Sequence, residues 1–115
     1  MVDNTNEESL TEILKAVSDV TRRSLLTQLV QQGPTRVTDL ASYYDMSLNA
    51  ISKHIKVLEK AGLVTRRTVG RIHWIEPHLE VVEQVDNWFT QLKSIWAMRL
   101  EKLDELLTSG ENDHD

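Results

Sequence analysis

The segment Ser47 to Leu58, SLNAISKHIKVL, sets Asn49, Ser52, Lys53 and Lys56 against a stripe of Leu48, Ile51, Ile55 and Leu58. On a helix this spacing buries the apolar residues and gathers an amide, a hydroxyl and two ammonium groups on the opposite face. Such groups match the donors and acceptors that base edges display in the major groove of double-stranded DNA. Asn49, Ser52 and Lys53 are therefore the candidates for base contact, and Ser47 and Lys56 for phosphate contact. Ala50 either packs on a thymine methyl or simply lets the duplex approach. His54, beside the apolar Ile55, either touches the DNA backbone or fills the helix edge. Arg66, Arg67 and Arg71 flank Val69-Gly70, and arginines on a short hairpin suit phosphate or minor-groove contacts. About four phosphates neutralised by each subunit of a dimer would give a log-log salt slope of roughly -7.

Other chemistries find little support. The chain has no cysteine, which removes disulfides, thiolate metal sites, thiol nucleophiles and thiol redox switches. Its four histidines are scattered, and no Walker loop, dinucleotide fingerprint, nucleophile elbow or HExxH motif occurs. No catalytic residue and no cofactor are expected. The remaining metal-ligand types cluster only at His78, Glu80 and Glu83 and at Asp113-His114-Asp115, and neither group has the convergent nitrogen or sulfur donors that tetrahedral zinc prefers.

The elements that must carry these residues can be read from periodicity. Leu10, Ile13, Leu14 and Val17 follow the i, i+3, i+4, i+7 pattern of helix one. Ser18 or Asp19 caps a second helix with Val20, Leu25, Leu26, Leu29 and Val30 inward, stopped at Gly33-Pro34. A short third helix covers residues 37 to 44, with Val37, Leu40, Ala41 and Tyr44 inward. Asp45-Met46 leaves room only for a tight reversal before a fourth helix capped by Ser47 and ended at Gly62. Leu63-Val64-Thr65 and Val69, then Ile72, Trp74 and Ile75, read as one hairpin turning at Gly70 and closed by Pro77. Pro77 also suits the first turn of a helix. From there to Leu107 neither proline nor glycine occurs, so one long helix is expected.

Some thirty residues at 1.5 Å each make roughly 45 Å, longer than so small a body needs. Homodimerisation through Val85, Trp88, Phe89, Leu92, Ile95, Trp96 and Leu103, joined by Leu10 and Leu14 of helix one, would cover the surplus. Trp88, Phe89 and Trp96 could instead line a pocket at that seam, although aromatics at helical spacing are usually core. The expected fold class is mainly α (α+β): a winged helix-turn-helix with a two-stranded wing and a long C-terminal dimerisation helix. Residues 1-9 are expected to be a flexible acidic lead, 10-108 the DNA-binding and dimerisation domain, and 109-115 a disordered acidic tail.

Composition bounds the same reading. The 115 residues suit one domain, with 40% apolar and 27% charged residues as in ordinary globular chains. No apolar run approaches the roughly 20 residues of a membrane span, and the acidic start MVDNTNEESL resembles no export signal, so a cytoplasmic location without membrane contact is expected. The formal charge of -5 would repel a polyanion if spread evenly. It is concentrated instead at the ends: residues 53-71 hold six bases against one acid, Glu59.

ILKAVSDVTRRSLLTQL and VTDLASYYDMSLNAISKHIKVLEKAGLVTRRTVGRIHWI together resemble the ArsR family of bacterial winged-helix repressors. DVTRR, SLNAISKHIKVL and KAGLV, followed by basic residues and Gly70, carry the resemblance over about residues 10 to 80. It implies a homodimeric, promoter-binding transcription factor, usually a repressor released from DNA by a chemical signal. Metal-sensing relatives use cysteines on the helix before the recognition helix, or carboxylates and histidines across the terminal helices, and neither set is present here. What remains is then a small-molecule effector, a protein partner or no effector at all. The rival reading is a winged-helix module that binds a protein or RNA through its basic hairpin.

Overall fold

The computed structural model describes residues 4–112. Its elements are α1 (Asn4–Val17), α2 (Val20–Gln32), β1 (Thr35–Arg36), α3 (Val37–Ser42), α4 (Leu48–Lys60), β2 (Val64–Val69), β3 (Ile72–Pro77) and α5 (Val82–Asn112). Two compact units meet inside α5, the first ending at Val85 and the second beginning at Asp86.

The first unit is built around a single apolar core. Ile13 and Ala16 of α1, Leu25 and Leu29 of α2, Leu40 of α3, and Ile51, Ile55 and Leu58 of α4 meet Leu63, Val64 and Ile75 there, all nearly inaccessible to water. Val82 and Val85 pack against the same cluster. The expected stripes of the first four helices are thus buried or half-buried, with three exceptions. Val20, Val30 and Leu48 are exposed, Val20 by 69%. Val20 and Leu48 each open a helix, where the first turn has no preceding turn to complete a buried face.

The ends of the helices follow local chemistry. Asp19 caps α2 by accepting a hydrogen bond from the Arg22 N–H at 3.0 Å, and Ser47 caps α4 by accepting from the Ala50 N–H at 3.1 Å, which satisfies donors the helix cannot satisfy itself. At the end of α4, Gly62 has φ +80. Its N–H donates to the Glu59 carbonyl at 2.9 Å while the Leu63 N–H donates to the Leu58 carbonyl at 3.0 Å. This is a Schellman closure, and it turns the chain straight into the hairpin.

The sheet has three strands in the order β1-β3-β2, all antiparallel. The two-stranded wing expected from the sequence therefore gains β1, whose Thr35 pairs with Ile75 and Arg36 with Trp74. Gly70, at φ +62, and Arg71 make the two-residue turn between Val69 and Ile72. A positive φ at the first turn residue alone is the type II′ pattern, which matches the twist of the strands.

Four boundaries differ from expectation. α1 begins at Asn4 rather than Leu10, so much of the stretch read as a flexible lead is helical. α3 stops at Ser42, two residues short of Tyr44. Pro77 ends β3 rather than starting a helix, and α5 begins at Val82. At its other end α5 continues to Asn112, through part of the expected disordered tail. Asp113-His114-Asp115 lie outside the described residues.

In the second unit, α5 carries Trp88, Phe89, Leu92, Ile95, Trp96 and Leu103 with 39% to 64% of their surface exposed. Trp88 and Phe89 contact each other, ring centroids 4.9 Å apart. No described helix is long and apolar enough to cross a membrane.

Candidate nucleic-acid interface

α4 is held by its neighbours and leaves one face free. With Ile51, Ile55 and Leu58 fully buried, the helical period places Asn49, Lys53 and Lys56 on the opposite side, and all three are exposed. Ser52 lies on the flank toward the sheet and is half-buried. It shares an open cleft with Val37, Thr38, Leu48, Lys56, Glu59, Arg66 and His73. Ala50 and His54 lie on the other flank, and both are half-buried. Ser47 is engaged in its cap, so its first task is structural.

The approach angle of α4 depends on the turn before it. Tyr44 fixes that turn to α2: its hydroxyl donates to Gln28 Oε1 at 3.1 Å and lies 2.9 Å from Ser24 Oγ. Of these three residues the sequence marks only Tyr44, as an inward position of the third helix, and its spacing gives no sign of Ser24 or Gln28 as partners.

His54 is tied inward. Its Nδ1 stands 3.3 Å from Arg22 Nη1 and 3.9 Å from Asp19 Oδ2. A guanidinium can only donate, so Nδ1 accepts and the ring proton sits on Nε2. Arg22 also donates from Nε to the Ala16 carbonyl at 2.8 Å and from Nη2 to the Lys15 carbonyl at 3.2 Å. Arg23 donates to the Val17 carbonyl at 2.7 Å. The DVTRR segment thus closes the C-terminus of α1, starts α2 and reaches α4 through one cluster. The hydrogen bond from the Arg22 N–H, aided by the guanidinium, holds the Asp19 carboxyl below the usual aspartate range, with desolvation as the opposing effect.

The hairpin arginines divide by face. Strand residues alternate, so Arg66 shares the inner face with buried Val64 and its partner Ile75, whereas Arg67 shares the outer face with Trp74 and Glu76. Arg66 donates from both Nε and Nη2 to Glu59 Oε1, at 3.2 and 2.7 Å, and the pair is largely shielded from water. Arg67 meets Glu76 at 3.2 Å but stays 65% exposed in its side chain. Among the described residues, Lys53, Lys56 and Arg71 have no carboxylate partner. Eight of the ten residues expected at the interface lie on the free face of α4, on its flanks or on the open side of the hairpin, whereas Arg66 and His54 are drawn into internal contacts.

His78 and Glu80 before α5 and Glu83 in its first turn do not form a ligand set. His78 Nε2 is 3.9 Å from Glu80 Oε2, and no set of three potential ligands assembles among the described residues.

Residues 19–66, from the cap of α2 into β2, match the model of the bacterial regulatory protein arsR family. The chain is similar to the arsenical resistance operon repressor of Bacillus subtilis, 33% identical over 72 residues that cover 60% of this chain and 69% of that one. It is also similar to the transcriptional repressor SdpR of the same organism, 28% identical over 79 residues covering 69% and 87%. Among solved structures, an ArsR family transcriptional regulator superposes with a TM-score of 0.74 at 32% identity, covering 79% of this chain and 93% of that one. With about a third of the residues identical over most of the length of both the B. subtilis arsenical repressor and this solved regulator, the chain belongs to the ArsR family of DNA-binding transcriptional regulators.

Proposed function

We propose that the protein is a homodimeric repressor that binds a palindromic operator, with α4 in the major groove and the hairpin beside it. The observation that carries this reading is the face of α4 that holds Asn49, Lys53 and Lys56 clear of the core. Asn49, Ser52 and Lys53 contact base edges, with Ala50 at the groove floor. Lys56, Arg67 and Arg71 contact phosphate. Repression is supported by the two relatives, both named as repressors. The cytoplasm is where such a regulator meets its DNA.

Dimerisation is supported by the exposed aromatic and aliphatic residues of α5, a surface of the kind that seeks a partner. A palindromic site follows from two-fold symmetry. The signal is not read through thiolates, since the chain has no cysteine. A small molecule or a protein partner would release the DNA.

Two measurements test the proposal. Sedimentation at micromolar concentration should give a dimer, and a monomer would remove the symmetric site. Binding to the duplex immediately upstream of the protein's own gene should exceed binding to a scrambled duplex. Equal binding to both would leave the fold standing and rule out autoregulation at that site.

A further inference from the structure

Two of the three hairpin arginines face a carboxylate, but the two pairs differ in kind. Arg67 and Glu76 form an exposed pair within the sheet, 65% and 33% accessible, which a phosphate can replace at little cost. Arg66 and Glu59 form a half-buried pair between β2 and the last turn of α4, 24% and 29% accessible, with two donors on one carboxylate oxygen. A charge-assisted contact of this geometry is stronger than a neutral one. Glu59 is also the only acid in the window from residue 53 to residue 71. It lines the cleft between α4 and the hairpin together with Ser52, Lys56 and His73, where a passing DNA strand would lie under the proposed function.

We propose that Glu59 is an affinity-limiting residue: its carboxylate takes the place of a phosphate on Arg66 and so withholds one cation per protomer from DNA. The inference rests on the DNA-binding reading. The consequence is a weaker sequence-independent attraction, because each cation withheld leaves one set of condensed counterions in place. The same contact steadies the hairpin against α4, so a single pair sets the angle of the wing and lowers its charge.

Glu59→Gln separates the two effects, since an amide oxygen can still accept from Arg66 but no longer neutralises it. Affinity for a scrambled duplex would be measured across a salt series for wild type, Glu59→Gln and Glu59→Gln/Arg66→Gln. Releasing one cation per protomer should steepen the dimer's slope from about -5 to about -7 and tighten scrambled-duplex binding at low salt; the double variant should return to the wild-type slope. A Glu59→Gln slope equal to or shallower than wild type would overturn the proposal. If that variant does not fold, Arg66→Gln alone decides: an unchanged slope supports the inference, and a slope shallower by about 2 for the dimer would show that Arg66 already contacts phosphate. A wild-type slope near zero would instead overturn the DNA-binding reading, and this one with it.

Discussion

Nη1 of Arg22 lies 3.3 Å from Nδ1 of His54, so the second helix grips the helix that presents Asn49 and Lys53. The same guanidinium closes two carbonyls of α1. One side chain therefore joins three helices, and the orientation of α4 depends on it.

Removing that side chain should destabilise the first unit. Arg22→Ala leaves the Ala16 and Lys15 carbonyls and His54 Nδ1 without their donor, and hydrogen bonds from a charged group are worth about 1.5–3 kcal/mol in favourable settings. A loss of about 2 kcal/mol is expected from urea unfolding, with the denaturant slope unchanged. Arg22→Lys should recover only part of it, because a single ammonium cannot reproduce the fork. A variant as stable as wild type would show that the cluster contributes no net stability.

Asp19 makes part of that stability depend on pH. Its carboxyl is held below the usual value of 3.8, chiefly by the hydrogen bond from the Arg22 N–H. A lowered folded-state pKa adds stability that is fully present above the unfolded value and is lost as pH falls through the folded one. The denaturation midpoint of Asp19→Asn, followed downward from pH 5, should therefore fall less steeply than that of wild type. Parallel curves would contradict the assignment.

Gly62 is a backbone requirement of the turn from α4 into the hairpin. At φ +80 a side chain is strained, and a Cβ would meet Val81 Cγ1 at 3.2 Å. Gly62→Ala should cost about 1–2 kcal/mol from the left-handed conformation, with more from the crowded valine. Thermal unfolding by circular dichroism would register the loss, and an unchanged midpoint would show that the turn relaxes freely.

The salt dependence of DNA binding should be gentler than composition suggests. Four hairpin and helix cations per protomer would give roughly -7 for a dimer, but with Arg66 held by Glu59, Lys56, Arg67 and Arg71 remain, for a slope of about -5. Titrating wild type with a labelled duplex at four or more salt concentrations measures it. A slope of -7 would return Arg66 to the phosphate contacts.

The burial of Ile51, Ile55 and Leu58, the caps at Asp19 and Ser47 and the stop at Gly62 were legible because each rests on residues close in sequence. β1 was not: two residues have no periodicity, and Thr35-Arg36 becomes a strand only because β3 lies beside it. Leu48 and Val20 misled for the opposite reason, being apolar at helical spacing yet placed at helix starts that the core does not reach. Arg66 was the subtlest case. Strand alternation from Val64 already puts it on the inner face, but only the fold shows Glu59 waiting there. His54 could not be decided from sequence, since its partners Asp19 and Arg22 sit on another helix.

The claim that the outer face of α4 reads bases is tested most directly by the ratio of affinities for operator and scrambled duplexes in Asn49→Ala/Lys53→Ala. Base contacts are worth about 1–3 kcal/mol of discrimination each, so the ratio should collapse toward one. Arg71→Ala, by comparison, should weaken both duplexes equally and leave the ratio intact. Selectivity unchanged in the double variant would contradict the account and place recognition elsewhere on the molecule.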